Sequence, residues 1–155
     1  MQITSTAFQD GGKIPQAYVM PGAGGQNISL PLAWSGAPEG AKSFALSIVD
    51  PHPVARNWVH WLVINLPPDT VSLAEGVSGK SMPPGGVELN NSWGKPSYGG
   101  PQPPKGTGDH PYVVTIYALN VPKLDLKQNT DLGAFTRALE GKVLGQASIT
   151  GYYSQ

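Results

Sequence analysis

A chain of 155 residues, 39% of them hydrophobic, is long enough for one domain with a sizeable core. Only 13% of its residues are charged and ten acids balance ten bases, so there is no electrostatic case for nucleic acid or an anionic membrane as partner. The absence of Cys excludes disulfides, thiolate catalysis and Cys-based zinc sites, while 20 Gly and 16 Pro without a period read as the turns of an all-β protein.

The opening stretch, residues 1–15, has neither a basic start nor an apolar run, so a secretory leader is not expected. No segment approaches the ~20 apolar residues of a membrane span. No transmembrane segment and a cytoplasmic location are the expectations. Residues 2–8 read as an edge strand closed by Asp10-Gly11-Gly12, and Leu30–Trp34 as a short strand with Pro31 at its start or at an edge. Ser43–Val49 alternates, with Phe44, Leu46 and Ile48 on one face, and parity extends that face to Asp50. Ala55–Leu66 contains a strong strand in which Trp58, His60, Leu62 and Ile64 would share a face. Val87–Asn90 is a short strand candidate, and Tyr112–Leu119 a strong one with Tyr112, Val114 and Ile116 on one side. Leu132, Phe135 and Leu139 recur at helical spacing, which predicts a helix over Asp131–Lys142, capped by Asn129 or Thr130 and ended by Gly141. Gln146–Tyr153 returns as a last strand. The expected fold is all-β: a β-sandwich of two antiparallel sheets with one short helix near the C-terminus and long Pro/Gly-rich loops, in a single domain over residues 1–155.

The most unusual segment is Tyr98–Tyr112, a Gly/Pro-rich loop that delivers His110 and Tyr112 to the head of a strand. Gly permits close backbone approach and Pro fixes φ, so the loop reads as a pre-shaped wall. The chain has three His, and the other two, His52 and His60, flank another Pro-rich connection. If the two strong strands are neighbours, His60 and His110 converge with Asp50. Such a cluster suits a phosphate or another small anion, because His⁺, a Tyr hydroxyl and loop N–H groups all donate. Other readings use the same residues. Asp50 could cap the turn that follows it through its own side chain, and His60 could be a core residue. Asp50 with three His could bind a metal or act as an acid/base pair, although no short metal motif and no G-x-S-x-G are present. The whole set could also be structural. Gly22-Ala23-Gly24-Gly25 and Gly106-Thr107-Gly108 fit neither a P-loop nor a dinucleotide fingerprint and read as turns, so no cofactor is expected.

Nearly the whole chain resembles the phosphatidylethanolamine-binding proteins, in their bacterial and archaeal Raf-kinase-inhibitor-like branch. The resemblance rests on Phe8–Pro15, Asn27–Trp34, Lys42–Leu46, Trp58–Trp61, Asn65-Leu66-Pro67, Tyr98–Pro101 with Pro103–His110, and Leu144–Tyr153. It implies a two-sheet sandwich with a small anion pocket that takes phospholipid head groups or phosphorylated side chains, and no enzymatic activity. It further implies a pocket built from Asp50, Trp58, His60, Tyr98, Gln102, Pro103, Pro104, His110 and Tyr112, with His52 as a possible addition. Inhibition of a protein kinase or protease through the pocket rim is the alternative function, and a hydrolase using Asp50 and the three His a further one. Three positions depart from the family pattern. Asp50-Pro51-His52-Pro53 replaces D-P-D-x-P, Gln102 stands where relatives often carry Cys, and His110-Pro111-Tyr112 replaces H-R-Y. The last change removes a cation and permits a cis bond at Pro111.

Overall fold

The computed structural model, which describes residues 1–155, arranges eight strands in two antiparallel sheets. The small sheet pairs β1 (Gln2–Thr4), β2 (Leu32–Ser35) and β5 (Ser72–Leu73), with β2 in the middle. The large sheet has the order β6 (Val87–Leu89), β4 (Trp58–Leu66), β3 (Ser43–Asp50), β7 (His110–Leu119), β8 (Val143–Tyr153). The sandwich expected from the sequence is therefore present. β1 is shorter than its predicted range, and β5 is too short to carry an alternation signal.

The apolar patterns explain the layering. Phe44, Leu46 and Ile48 of β3, with Tyr112, Val114 and Ile116 of β7, face the small sheet and join a core cluster of 23 buried residues. Burying each such side chain contributes about 1.5–3 kcal/mol before chain entropy is subtracted. The opposite face of the large sheet packs Ala45, Val59, Leu62, Ile64 and Leu119 against Phe135 and Leu139 of α1 (Leu132–Leu139). β3 is thus buried on both sides, which is why its sequence is apolar nearly throughout. The helix is capped by Asp131, whose carboxylate accepts from the Ala134 N–H at 2.8 Å, and not by Asn129 or Thr130. Gly141 follows the helix at φ 73°, as its place in the sequence suggests.

Strict alternation fails in β4. Ile48 and Val49 are consecutive in β3, yet they pair with Trp61 and Val59, so His60 is an extra residue opposite them. A β-bulge of this kind reverses the facing of everything beyond it. Leu62 and Ile64 consequently pack against the helix, while His60 faces the other way, which corrects the expectation that the four residues Trp58, His60, Leu62 and Ile64 share one face. The two strong strands are not neighbours either. β3 runs between β4 and β7, and its last residue, Asp50, lies between the Trp58 end of β4 and the His110 end of β7.

Candidate functional site

A cavity of about 670 Å³ opens at this end of the sandwich. Its wall includes Asp50 from the end of β3, Trp58 and His60 from β4, His110 and Tyr112 from β7, and Gln102, Pro103 and Pro104 from the loop before β7. Four further wall residues, Val54, Ala55, Arg56 and Trp93, were not anticipated. Two anticipated residues are elsewhere. Tyr98 is buried in the core, with its hydroxyl donating to the Tyr18 carbonyl at 2.8 Å and its ring edge-on to Trp61, so it roots the loop and does not line the cavity. His52 lies outside the wall but stacks on His110, with ring centroids 3.8 Å apart and an interplanar angle of 14°.

Close backbone approach fixes the loop. The Gly100 N–H donates to Asn27 Oδ1 at 2.7 Å, and the Met20 N–H to the Pro101 carbonyl at 3.0 Å. A Cβ on Gly100 would come within 2.1 Å of the Tyr18 carbonyl oxygen, so only Gly fits there. The Gly22–Gly25 segment, read from sequence as a turn, forms a 3-10 turn (Pro21–Ala23) and sits against Gln102. All peptide bonds are trans, including that at Pro111.

The carboxylate of Asp50 serves two partners. Its Oδ1 accepts from the His52 N–H at 2.8 Å, the turn-capping role weighed from sequence. Its Oδ2 lies 2.6 Å from His110 Nδ1. Both residues are almost completely buried, and this is the only ion pair in the chain. His110 Nε2 lies 2.8 Å from Thr107 Oγ1, and that hydroxyl itself donates to the Pro104 carbonyl at 2.6 Å. A carbonyl oxygen cannot donate, so the Thr107 proton is committed to Pro104 and its oxygen accepts from His110. Each nitrogen of His110 therefore faces an acceptor, the pattern of an imidazolium beside a carboxylate. The Asp50–His110–Thr107 row has the outline of a hydrolytic triad, but the hydroxyl proton points away from the imidazole and Thr107 is not on the cavity wall.

His60 is different. Its Nδ1 lies 2.7 Å from the Gly99 carbonyl and so carries a hydrogen. Burial pushes its pKa down to about 4, against weaker upward pulls from the Gly99 carbonyl and Asp50, so the ring is neutral at pH 7. This corrects the expectation that His60 offers a charged donor. Its faces and edges are held by Tyr112 at 4.9 Å and Trp93 at 5.4 Å between centroids. The Tyr112 hydroxyl is held protonated well beyond its ordinary range, by burial first and by Asp50 and Tyr153 next. Arg56 is exposed on the cavity wall and makes no ion pair. Arg56 and Asn57 both have positive φ, 53° and 58°, a tight reversal between Pro53 and β4.

Arg56 and Trp93 were missed because each lies in an irregular loop. The signal available for Trp93 was a large aromatic isolated in Asn91-Ser92-Trp93-Gly94, where an apolar side chain has no strand partner. The Asn91 carboxamide oxygen accepts from the N–H groups of Trp93 and Lys95, which shapes that turn. No group of three or more His, Asp or Glu is arranged to hold a metal ion.

A family model described as phosphatidylethanolamine-binding protein matches residues 4–154. The chain is 40% identical over 154 residues to a UPF0098 protein of Methanothermobacter thermautotrophicus, across 99% of this chain and 98% of that one. It is 36% identical over 159 residues to the UPF0098 protein YbhB of Escherichia coli, across 99% of this chain and 100% of that one. The crystal structure of Escherichia coli YbcL, described as a new member of the mammalian PEBP family, superposes with a TM-score of 0.93 at 33% identity, covering 99% of this chain and 98% of that chain. No helix of the chain is long and apolar enough to cross a membrane.

Proposed function

Because this chain belongs to the phosphatidylethanolamine-binding protein family, we propose that it is a binding protein whose cavity captures a small anion, in particular a phosphate-bearing group such as a phospholipid head group or a phosphorylated ligand. One observation carries the reading. The buried Asp50 carboxylate is balanced by His110, which leaves Arg56 as an unpaired cation on the wall. The Tyr112 hydroxyl supplies a further donor, and Trp58, Trp93 and the Pro pair 103–104 give the cavity apolar shape. We read the protein as a binder and not an enzyme, because the hydroxyl beside His110 is turned to a backbone carbonyl.

The test is an NMR titration with phosphoethanolamine. The reading expects the ring resonances of His60 and His110 to move at millimolar ligand, and stationary resonances refute it.

A second reading has its own support. Val54 is 51% exposed and Trp58 37% exposed at the cavity mouth, beside Arg56, an arrangement suited to a protein contact. Inhibition of a kinase or protease through this rim predicts that a captured partner is released by Val54→Ser with Trp58→Ala. Retention by that double variant removes the rim from consideration.

A further inference from the structure

We propose that His60 makes the cavity selective for anions that bring their own proton donor, such as a phosphate bearing a P–OH group, over anions that can only accept. The proposal rests on the anion-binding reading above and narrows its ligand class.

His60 Nδ1 spends its hydrogen on the Gly99 carbonyl, 2.7 Å away. A neutral imidazole has one N–H, so Nε2 presents a lone pair. Nε2 makes no hydrogen bond of ordinary geometry in the protein, where the Gly100 backbone is the other peptide group acting on the ring; it is not among the sealed, unsatisfied buried atoms, and His60 lines the cavity. The same burial that keeps the residue 3% exposed favours the neutral ring. His110 cannot compensate, since its two N–H groups are committed to Asp50 and Thr107. It offers charge to a ligand but no hydrogen. The ionisable groups around His60 are Asp50 from β3, His110 and Tyr112 from β7, and Arg56 from the loop before β4; Trp93 adds only an aromatic edge.

A sulfate or a phosphodiester set against this lone pair leaves two acceptors facing each other. An unpaired acceptor costs about 1–3 kcal/mol, equivalent to roughly 5- to 150-fold in affinity. A P–OH donates to Nε2 instead, while its charged oxygens are free for Arg56 and the Tyr112 hydroxyl.

Calorimetric titration of the full chain separates the cases, because four probes differ in whether they carry a P–OH, and sulfate matches the charge of the phosphate dianion. Inorganic phosphate keeps one P–OH across the neutral range, methyl phosphate loses its P–OH above about pH 6, and sulfate and dimethyl phosphate have none. Near pH 7.5, inorganic phosphate is expected to bind at least about tenfold more tightly than sulfate or dimethyl phosphate. Methyl phosphate is expected to match inorganic phosphate near pH 5 and to fall toward sulfate by pH 8. Glycerophosphoethanolamine, a diester whose ammonium can donate, identifies the source of the proton: tight binding by it points to a lipid-type head group, and tight binding by methyl phosphate at low pH to a phosphorylated ligand. Equal affinity for all probes overturns the selectivity and leaves the anion reading standing. Absence of binding by every probe at millimolar concentration overturns both.

Discussion

The ring of His52 lies flat on the ring of His110, although His52 takes no part in the cavity wall. His52 Nδ1 accepts from the Val54 N–H at 3.1 Å, so the stack also pins the turn that carries Val54, Ala55 and Arg56 onto the wall. Replacing His52 by Ala removes the stack and the turn bond together. The expected loss is about 1–2 kcal/mol of stability in urea denaturation. Faster hydrogen exchange at the Val54 amide should accompany it, and an unchanged Val54 rate would show that the stack holds nothing.

Thr107 is the clip between His110 and the Pro104 carbonyl. Thr107→Val keeps the shape but leaves the His110 Nε2–H buried without an acceptor, at a cost of about 1–3 kcal/mol. Thr107→Ser retains the hydroxyl and should recover most of that loss. Equal stabilities for the Val and Ser variants contradict the clip.

The neutral His60 sets a pH dependence whose sign is fixed. Its pKa falls from 6.5 to about 4 on folding, so the unfolded chain takes up this proton first as the pH drops. The contribution is complete above about pH 6.5 and is lost progressively down to about pH 4, amounting to roughly 3 kcal/mol. Urea midpoints measured at pH 7 and pH 4.5 should therefore differ less for His60→Gln than for the natural chain.

Arg56 pays for its position with a left-handed backbone, φ 53°. Arg56→Gly relieves that conformation and removes the cation. Stability should hold or rise by up to about 1 kcal/mol while phosphate affinity drops several-fold. Arg56→Lys keeps the charge and should retain most of the affinity. Affinity unchanged in Arg56→Gly would place the anion away from this wall.

Much of this site was legible because it depends on local rules. Parity along β3 put Asp50 on the core face, and the Gly/Pro content of 98–112 marked a rigid wall. The facing of His60 was legible only by coincidence. The bulge cancels the alternation used to infer it, and bulges depend on pairing with a distant strand that local sequence does not encode. Tyr98 was misread for a similar reason: motif position brought it near the cavity, but backbone direction sends its ring to Trp61 and turns the neighbouring Gly99 carbonyl to His60. Trp93 reaches the wall through loop hydrogen bonds spanning tens of residues, such as that from the Val59 N–H to Ser92 Oγ, and Arg56 through a tight turn in which its N–H donates to the His52 carbonyl at 2.9 Å. The charge state of His60 needed burial as well as position, and burial is a property of the finished fold.

The extra residue at His60 also divides β4 into two stretches that keep separate phase. Beyond it, Leu62 and Ile64 answer to the helix; at and before it, His60 and Trp58 answer to the cavity. Substitutions that reshape the cavity can accumulate on one stretch while the other continues to hold the sheet to its helix. The same arrangement makes this the point at which the strand can lose a residue without losing its register. Deleting the extra residue would leave Ile48 paired with Trp61 and Val49 with Val59, so both stretches would keep their facing and only the imidazole would leave the cavity wall.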